Sequence, residues 1–254
     1  MKDFLTLQQS LWDQWAPHYN AEHQERDPAP AADFLAGLAA DGSALELAVG
    51  TGRIALPLAE RGVKVTGIDA SPAMIDELLR HRGQLPVQTH VGDMADIDTN
   101  GQQFDLVYVA FSSFFFLMTQ ARQAACLSGV ARTLAPSGHF VLEATIPRAP
   151  GLLAGRQQIG IRELADTHLS LSATTHDPID QIIHFQEIRF DHDGMRLLPV
   201  IMRYVHLSEL DLLAAAAGLT LTHRYSDWHR APVTASSTQH ISVYTLAGEG
   251  GDAS

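Results

Sequence analysis

The chain has one cysteine, Cys126, and few cations among its 254 residues. A single cysteine excludes an internal disulfide framework and a cysteine-rich metal site. The 17 lysines and arginines stand against 29 aspartates and glutamates, which gives a formal charge of −12. Clustered cations are what hold nucleic-acid backbones and anionic membrane surfaces, so we expect neither nucleic acid nor membrane as a partner.

Long apolar runs are also missing. No run approaches the roughly 18 residues of a membrane-spanning helix, and the first ten residues, MKDFLTLQQS, lack the apolar core of a signal peptide. We therefore expect a cytoplasmic protein. The hydrophobic fraction of 46% is ordinary for a chain that buries a full core, and the length favours one domain.

The sequence between 41 and 147 alternates short apolar runs with amphipathic stretches. Strands are predicted at 44–49, 64–69, 86–91, 104–111 and 139–146. Helices are predicted at 53–61, 72–82 and 119–134, and the turn Pro136-Ser137-Gly138 precedes the last strand. Alternating helices and buried strands are typical of an α/β fold with a doubly wound, mostly parallel sheet.

The regions on either side of this alternation differ from it. Residues 1–40 are predicted to be helical, with an apolar stripe of Phe4, Leu5, Leu7, Leu11, Trp12, Trp15 and Tyr19. Strands predicted at 162–175, 179–190 and 195–205 have no helices between them, and Asp193-Gly194 is a hairpin signal. A helix at 207–217 and strands at 219–225 and 240–247 follow. We predict one domain with a helical lead (1–40), a ligand-binding core (41–147), an inserted antiparallel β-platform (148–206), a return to the core sheet (207–247) and a disordered tail (248–254).

The clearest chemical motif is Glu46-Leu-Ala-Val-Gly50-Thr-Gly52-Arg53, where the first predicted strand turns into a helix. Glycines at such a turn let the backbone approach a ligand that a Cβ would exclude. Asp69 ends the second strand, where a carboxylate can accept hydrogen bonds from both ribose hydroxyls. After the third strand, Asp93 can reach an adenine amino group and Met94 can cover the ring.

The glycine spacing alone leaves two ligands open. Gly50-x-Gly52-x-x-Ala55 also satisfies the dinucleotide fingerprint, so an NAD(P)-dependent oxidoreductase is an alternative. Three features disfavour it: Glu46 suits a ligand ammonium rather than a pyrophosphate, the motif follows a long helical lead, and the Gly-Asp-Met run has no use in pyrophosphate binding.

With these motifs, residues 12 to 147 resemble the class I S-adenosylmethionine-dependent methyltransferases. The resemblance implies a Rossmann-like, seven-stranded sheet with an antiparallel last strand and S-adenosyl-L-methionine as cofactor. It implies cofactor contacts from Tyr19, Glu46, Ala48, Gly50, Gly52, Arg53, Asp69, Ala70, Met74, Asp93, Met94, Ala110 and Phe111. A non-methylating use of the same cofactor, such as a cyclisation, stays open.

In finer detail the sequence is similar to small-molecule methyltransferases of bacterial natural-product pathways, including enzymes of nucleotide-linked amino sugars. The shared features are the WDQWAPHYN helix, the Gly-Asp-Met run, the FSS segment and the platform. Phe116 stands where the amino-sugar enzymes carry a histidine. Four phenylalanines within 111–116 predict a small, apolar or aromatic acceptor. The predicted substrate contacts are Trp15, Phe115, Phe116, Arg203 and Trp228.

Methyl transfer from a sulfonium is an in-line displacement, to which positioning and exclusion of water contribute most. A general base is needed only where the nucleophile arrives protonated. The predicted catalytic residues are Tyr19, His18 and His229. No histidine pair has the spacing of a helical metal site, and His192 falls in a polar turn, so no metal is expected. The acceptor atom and the oligomeric state are open, with a homodimer as one alternative.

Overall fold

The computed structural model describes residues 2–23, 26–40, 42–147 and 158–248, in which helices and strands alternate through the core. The strands are β1 (Ser43–Leu47), β2 (Lys64–Asp69), β3 (Val87–Val91), β4 (Phe104–Val109), β5 (Leu134–Thr145), β6 (Gln158–Leu164), β7 (Leu169–Asp177), β8 (Ile182–Asp191), β9 (Gly194–Arg203), β10 (Leu219–Tyr225) and β11 (Gln239–Leu246). The α-helices are α1 (Lys2–Glu22), α2 (Ala29–Ala39), α3 (Ala55–Glu60), α4 (Pro72–His81), α5 (Gln120–Thr133) and α6 (Leu207–Ala216). A 3₁₀-helix covers Ser113–Phe116.

The strands form two sheets. The larger has seven strands in the order β10-β11-β5-β4-β1-β2-β3, and the smaller has four in the order β6-β7-β8-β9. The pairs from β5 to β3 are parallel, whereas β11 runs antiparallel to both β5 and β10. The predicted fold class, a mostly parallel seven-stranded sheet with an antiparallel last strand and an added β-platform, is confirmed.

Two apolar layers cover the large sheet. Phe104, Phe140 and Leu127 belong to one buried cluster, and Leu35 and Leu58 belong to the other. Because both faces are covered, the central strands β1 and β4 are buried on both faces and do not alternate between apolar and polar residues. Local signals fix the helix starts: the Ser71 Oγ accepts a hydrogen bond from the Met74 N–H, and Pro72 occupies the first turn of α4.

Three predicted boundaries were wrong. The strand predicted at 162–175 is two strands, β6 and β7, because the chain turns at Ala165, whose N–H bonds to the His168 carbonyl. The predicted strand 104–111 ends at Val109, since Phe111 and Ser112 both have φ of 59°. The predicted turn at 136–138 lies inside β5, where the pairing with β4 shifts register.

Part of the predicted domain organisation concerns residues that the structure does not describe. The first ten residues of the predicted platform, 148–157, and the predicted tail apart from Gly248 lie outside the described residues. Within the described part of the chain, no helix is both long and apolar enough to cross a bilayer.

Gly67 on β2 provides a test of how the sheet supports the turn after β1. A Cβ at Gly67 would lie 2.7 Å from the Cβ of Val49, which is buried. We expect Gly67→Ala to lower the free energy of unfolding by about 1–3 kcal/mol, because the overlap forces the backbone apart. Urea unfolding measures this. Gly37→Ala is the control, since nothing lies within 4 Å of its added methyl group and α2 gains a better helix former; equal stability of the two variants would contradict the prediction.

Candidate active site

A cavity lies where β1, β2, β3 and β4 end at their carboxyl termini, beneath α1. This is where open α/β sheets bind ligands. The lining residues are Gln9, Trp12, Trp15, Tyr19, His23, Ala48, Gly50, Ile68, Asp69, Ala70, Met74, Gly92, Asp93, Met94, Phe111, Ser113, Phe116, Leu117 and Arg122. Most of the residues singled out from the sequence are therefore brought together.

Asp69 holds the glycine turn in place. Its Oδ2 accepts a hydrogen bond from the Gly50 N–H, and its Oδ1 accepts one from the Ser71 N–H, both at 2.8 Å. Gly50 has φ of 55°, and no atom lies within 4 Å of the position of a Cβ. Gly52 differs, since a Cβ there would meet the side chain of Leu78 at 2.8 Å. Gly50 thus leaves an open cradle, and Gly52 permits close packing without lining the cavity.

Glu46 is buried beneath this turn and does not line the cavity. Its Oε2 accepts a hydrogen bond from the Tyr108 hydroxyl at 2.8 Å. Burial raises the pKa of Glu46 to about 8, despite the opposing effects of the Tyr108 hydrogen bond and the Arg53 charge. The carboxyl group is therefore a buried acid that becomes easier to ionise when a cation approaches.

Asp93 lines the far end of the cavity and is paired with Arg122 of α5. The Arg122 Nη2 donates to both carboxylate oxygens, at 2.8 and 2.6 Å. Arg122 carried no sequence signal, since its position becomes relevant only when α5 packs on β4 and β5 and the Arg122 side chain meets the loop after β3. The pair fixes the direction of the Asp93 carboxylate.

The roof of the cavity is an aromatic surface on α1. Trp12 makes edge contacts with Trp15, Tyr19 and Phe116, with ring centroids 5.7, 6.4 and 5.0 Å apart. Further polar contacts fasten α1 to the sheet. The Ser71 Oγ donates to Asp13, and the Thr51 hydroxyl donates to Asn20, each at 2.6 Å. Neither Asp13 nor Asn20 was predicted, because each acts through a partner distant in sequence.

His23, rather than His18, is the α1 histidine that lines the cavity. Its ring centroid lies 4.5 Å from that of Tyr19. Burial, with the nearby charges of Arg26 and Arg53, lowers the pKa of His23 to about 4. His18 is exposed and does not line the cavity, because it occupies a different face of the helix. A neutral imidazole is thus present in the cavity at neutral pH.

Several predicted substrate and catalytic positions lie elsewhere. Phe115 does not line the cavity because its side chain is enclosed in the apolar core. Trp228 and His229 line a separate shallow depression beside Phe34. Arg203, predicted to contact the substrate, does not line the cavity: it is buried and donates to Gln123, Gln181 and Glu209.

Two predicted cofactor residues also lie just outside the cavity. Ala110 is buried at the end of β4. Arg53 lies at the edge, with its guanidinium carbon 3.6 Å from the Phe111 ring centroid.

One group of possible metal ligands lies within the described ranges: Asp191, His192 and Asp193 place ligand atoms within 4.8 Å of one another. It lies in the β8–β9 turn, none of its three residues lines the cavity, and Asp191 already pairs with Arg196. The expected absence of a metal stays a prediction.

Comparison with known proteins defines the class. A family model described as a methyltransferase domain matches residues 44–138. The cypemycin N-terminal methyltransferase of a Streptomyces species is 30% identical over 203 residues, which cover 78% of this chain and 81% of that protein. The chain belongs to the S-adenosylmethionine-dependent methyltransferases, and the oxidoreductase alternative is set aside.

Solved structures narrow the class to methyltransferases of the natural-product type. The CcbJ methyltransferase of Streptomyces caelestis is 37% identical, with a TM-score of 0.87 over 94% of this chain and 98% of that one. CalS10 of Micromonospora echinaspora, an amino pentose methyltransferase of calicheamicin biosynthesis solved with S-adenosylmethionine bound, is 26% identical, with a TM-score of 0.67 over 89% and 95%. S-adenosylmethionine is the cofactor of this family.

The raised pKa of Glu46 predicts how stability changes with pH. Between the ordinary value of 4.5 and about 8, the folded protein keeps a proton that the unfolded chain has released. The free energy of unfolding should therefore fall as pH rises through this window, by at most ~1.4 kcal/mol per pH unit. Glu46→Gln removes this titration, so the variant should gain stability relative to the wild type as pH rises, up to about pH 8.

Urea unfolding of ligand-free protein at several pH values between about 5 and 9 measures this difference. Glu60→Gln, which changes an exposed carboxylate on α3, is the control. A Glu46→Gln curve that stays parallel to the wild-type curve across the window would show that Glu46 is ionised in the folded protein.

Proposed function

We propose that the protein transfers the methyl group of S-adenosylmethionine to an amine nitrogen of a small, largely apolar natural-product intermediate. One observation carries this proposal: the polar residues around Gly50 and the aromatic side chains of Trp12, Trp15 and Phe116 line the same cavity. The named relatives support nitrogen as the acceptor atom, since one acts on an N-terminus and one on an amino pentose.

The residues present fit the cofactor. Gly50 leaves space that a Cβ would fill, and Asp69 and Asp93 offer carboxylates to a ribose and an adenine. Glu46, a buried acid that a nearby cation would help to ionise, suits the amino group of the methionine portion. Arg53 suits its carboxylate, with Tyr19 beside it. When bound, S-adenosylmethionine supplies an electrophilic methyl group on a sulfonium.

The acceptor side is apolar. A second, smaller pocket shares Trp12, Trp15 and Phe116 with the cavity and adds Leu11 and the β9 residues Pro199, Val200 and Ile201. Aromatic rings in these positions exclude water and favour an apolar acceptor body. We assign the platform strand β9 to the recognition of that body.

Two side chains near the Phe111 turn, His23 and Tyr19, are candidates for contact with the N–H of an acceptor amine. His23 is neutral at physiological pH and can accept a hydrogen bond. Tyr19 lies beside it, and burial raises the pKa of its hydroxyl, so Tyr19 acts as a hydrogen-bond donor. We assign positioning of the amine to Tyr19 and hydrogen-bond acceptance from the amine N–H to His23, in place of His18 and His229.

Matched acceptors test the proposal. The protein is incubated with S-adenosylmethionine carrying a trideuterated methyl group and with pairs such as phenethylamine and 2-phenylethanol. We expect mass spectrometry to show the labelled methyl group on the amine and not on the alcohol. Labelled alcohol alone, no labelled amine across a panel of apolar amines, or conversion without gain of the label would contradict amine methylation, and the last would favour a cyclisation.

The same assay locates the acceptor. Phe116→Ala should raise KM for the best amine about tenfold, because the ring covers apolar acceptor surface. Its affinity for S-adenosylhomocysteine, measured calorimetrically, should stay within about twofold of the wild type. Leu212→Ala, at an exposed leucine of α6, is the control. Loss of cofactor affinity with unchanged KM would place Phe116 on the cofactor side.

We propose further that the outer face of the platform pairs with a second copy of the chain. Strand pairing puts Ile161, Leu171, Ile188 and Leu197 in one row across this face. The most exposed apolar side chains of the face are between 40% and 75% accessible: Ile159, Ile161, Leu164, Phe190, Met195 and Leu197. Exposed apolar side chains gathered on one face of a sheet mark an interaction surface.

Light scattering coupled to gel filtration tests the dimer. We expect twice the single-chain mass for the wild type and the single-chain mass for the double variant Ile161→Glu, Leu197→Glu, since two buried carboxylates oppose association. Leu212→Glu is the control at an equally exposed leucine on α6. A monomeric wild type would contradict this interface.

A further inference from the structure

Glu143, near the carboxyl end of β5, is a buried acid that bonds to the backbone of the neighbouring turn. Its Oε2 accepts a hydrogen bond from the Phe111 N–H at 3.0 Å. Its backbone carbonyl accepts another from the Ser112 N–H at 3.2 Å. Glu143 does not line the cavity, and its place inside an apolar strand gave no sequence signal. Its side chain nevertheless holds the turn that carries Phe111 into the cavity.

That turn has a backbone conformation that needs support. Phe111 and Ser112 are consecutive, and both have φ of 59°, in the left-handed region that residues with a Cβ rarely adopt. Such conformations persist where surrounding contacts over-determine them, and they concentrate at functional sites. The Ser112 Oγ adds a second support, because it accepts a hydrogen bond from the Thr145 N–H at 3.0 Å.

The Phe111 turn also positions a cation, the Arg53 guanidinium. The Arg53 guanidinium stacks on the Phe111 ring at 3.6 Å, and the Arg26 guanidinium lies 4.8 Å from the same ring. Among the described residues, Arg53 donates a single hydrogen bond, to the Arg26 carbonyl, at 3.4 Å. Glu143 and Glu46 act on Arg53 only through longer-range attraction. Arg53 is therefore held by an aromatic face, and its guanidinium keeps donors for a ligand.

We propose that Glu143 is a positioning residue for the amino-acid end of the cofactor. By holding the Phe111 turn, the Glu143 carboxylate keeps the ring in place, and the ring keeps the Arg53 guanidinium at the edge of the cavity. This inference rests on the proposed contact between Arg53 and the carboxylate of the cofactor. Glu143 acts through Phe111 and touches no reacting atom.

Two ligands distinguish this positioning role from general support of the fold. Both contain adenosine and a sulfur atom, and they differ in the group attached to that sulfur. S-adenosylhomocysteine carries the amino and carboxylate groups, and 5′-methylthioadenosine lacks them. Calorimetric Kd values are measured for both ligands with the wild type, Glu143→Ala and Glu143→Gln. We expect Glu143→Ala to weaken S-adenosylhomocysteine about tenfold or more and methylthioadenosine less than about twofold. Glu143→Gln keeps an acceptor oxygen for the Phe111 N–H, so it should stay within about threefold for both.

Three results would overturn the proposal. Equal losses for the two ligands in Glu143→Ala would show general support, unchanged affinity would show no role, and a Glu143→Gln protein as weak as Glu143→Ala would show that the hydrogen bond is not the cause. A wild type that binds both ligands equally would instead contradict the proposed Arg53 contact. Ser112→Ala, which removes only the two side-chain hydrogen bonds to Thr145, should show the same selective loss to a smaller degree, and it serves if Glu143→Ala does not fold.

Discussion

The site depends on the carboxylate of Asp69, which accepts one backbone N–H from the turn after β1 and one from the start of α4. Both oxygens accept backbone hydrogen bonds, which offset part of the cost of removing the carboxylate from water, although burial still raises the pKa of Asp69. The bonding continues outward, because Ser71 caps α4 and also donates to Asp13 of α1. One chain of hydrogen bonds thus sets the glycine turn, the adjacent helix and the roof of the cavity relative to one another.

Two ionisable side chains near the glycine turn, Glu46 and Arg53, complement the two charges of an amino-acid group. Glu46 lies beneath the glycine turn and prefers to hold its proton until a cation arrives, whereas Arg53 lies at the edge with donors to spare. Placing an acid and a base on opposite sides of one turn suits the ammonium and carboxylate of a methionine moiety. Because both side chains are largely removed from water, each interaction is stronger than it would be at the surface, and each is held by a neighbour: Tyr108 for the acid and Phe111 for the base.

The cofactor half of the site could be predicted from the sequence because its residues lie at strand ends, in order along the chain. Gly50, Asp69 and Asp93 each follow a recognisable apolar strand, and parallel strands bring their carboxyl ends to one edge. The other half depends on contacts between distant segments. Arg122 and Glu143 gain their roles only when α5 and β5 pack against β4. His23 lines the cavity in place of His18 because the helical phase of α1 decides which side chain faces inward. Phe115 was predicted to contact the substrate but lies in the core with Phe114, whereas Phe116, the next residue, lines the cavity.

The aromatic roof and the cations near His23 act in the same direction on an incoming amine. Burial and the charges of Arg26, Arg53 and Arg162 all disfavour a proton on the His23 ring. An acceptor amine in the same surroundings would meet the same two effects, loss of hydration and repulsion by guanidinium groups, and both lower the pKa of an ammonium. The nitrogen would then enter as the free base with its lone pair available. A strong general base is therefore unnecessary in this cavity, which is consistent with a lining in which five tryptophan, tyrosine and phenylalanine side chains stand against two carboxylates.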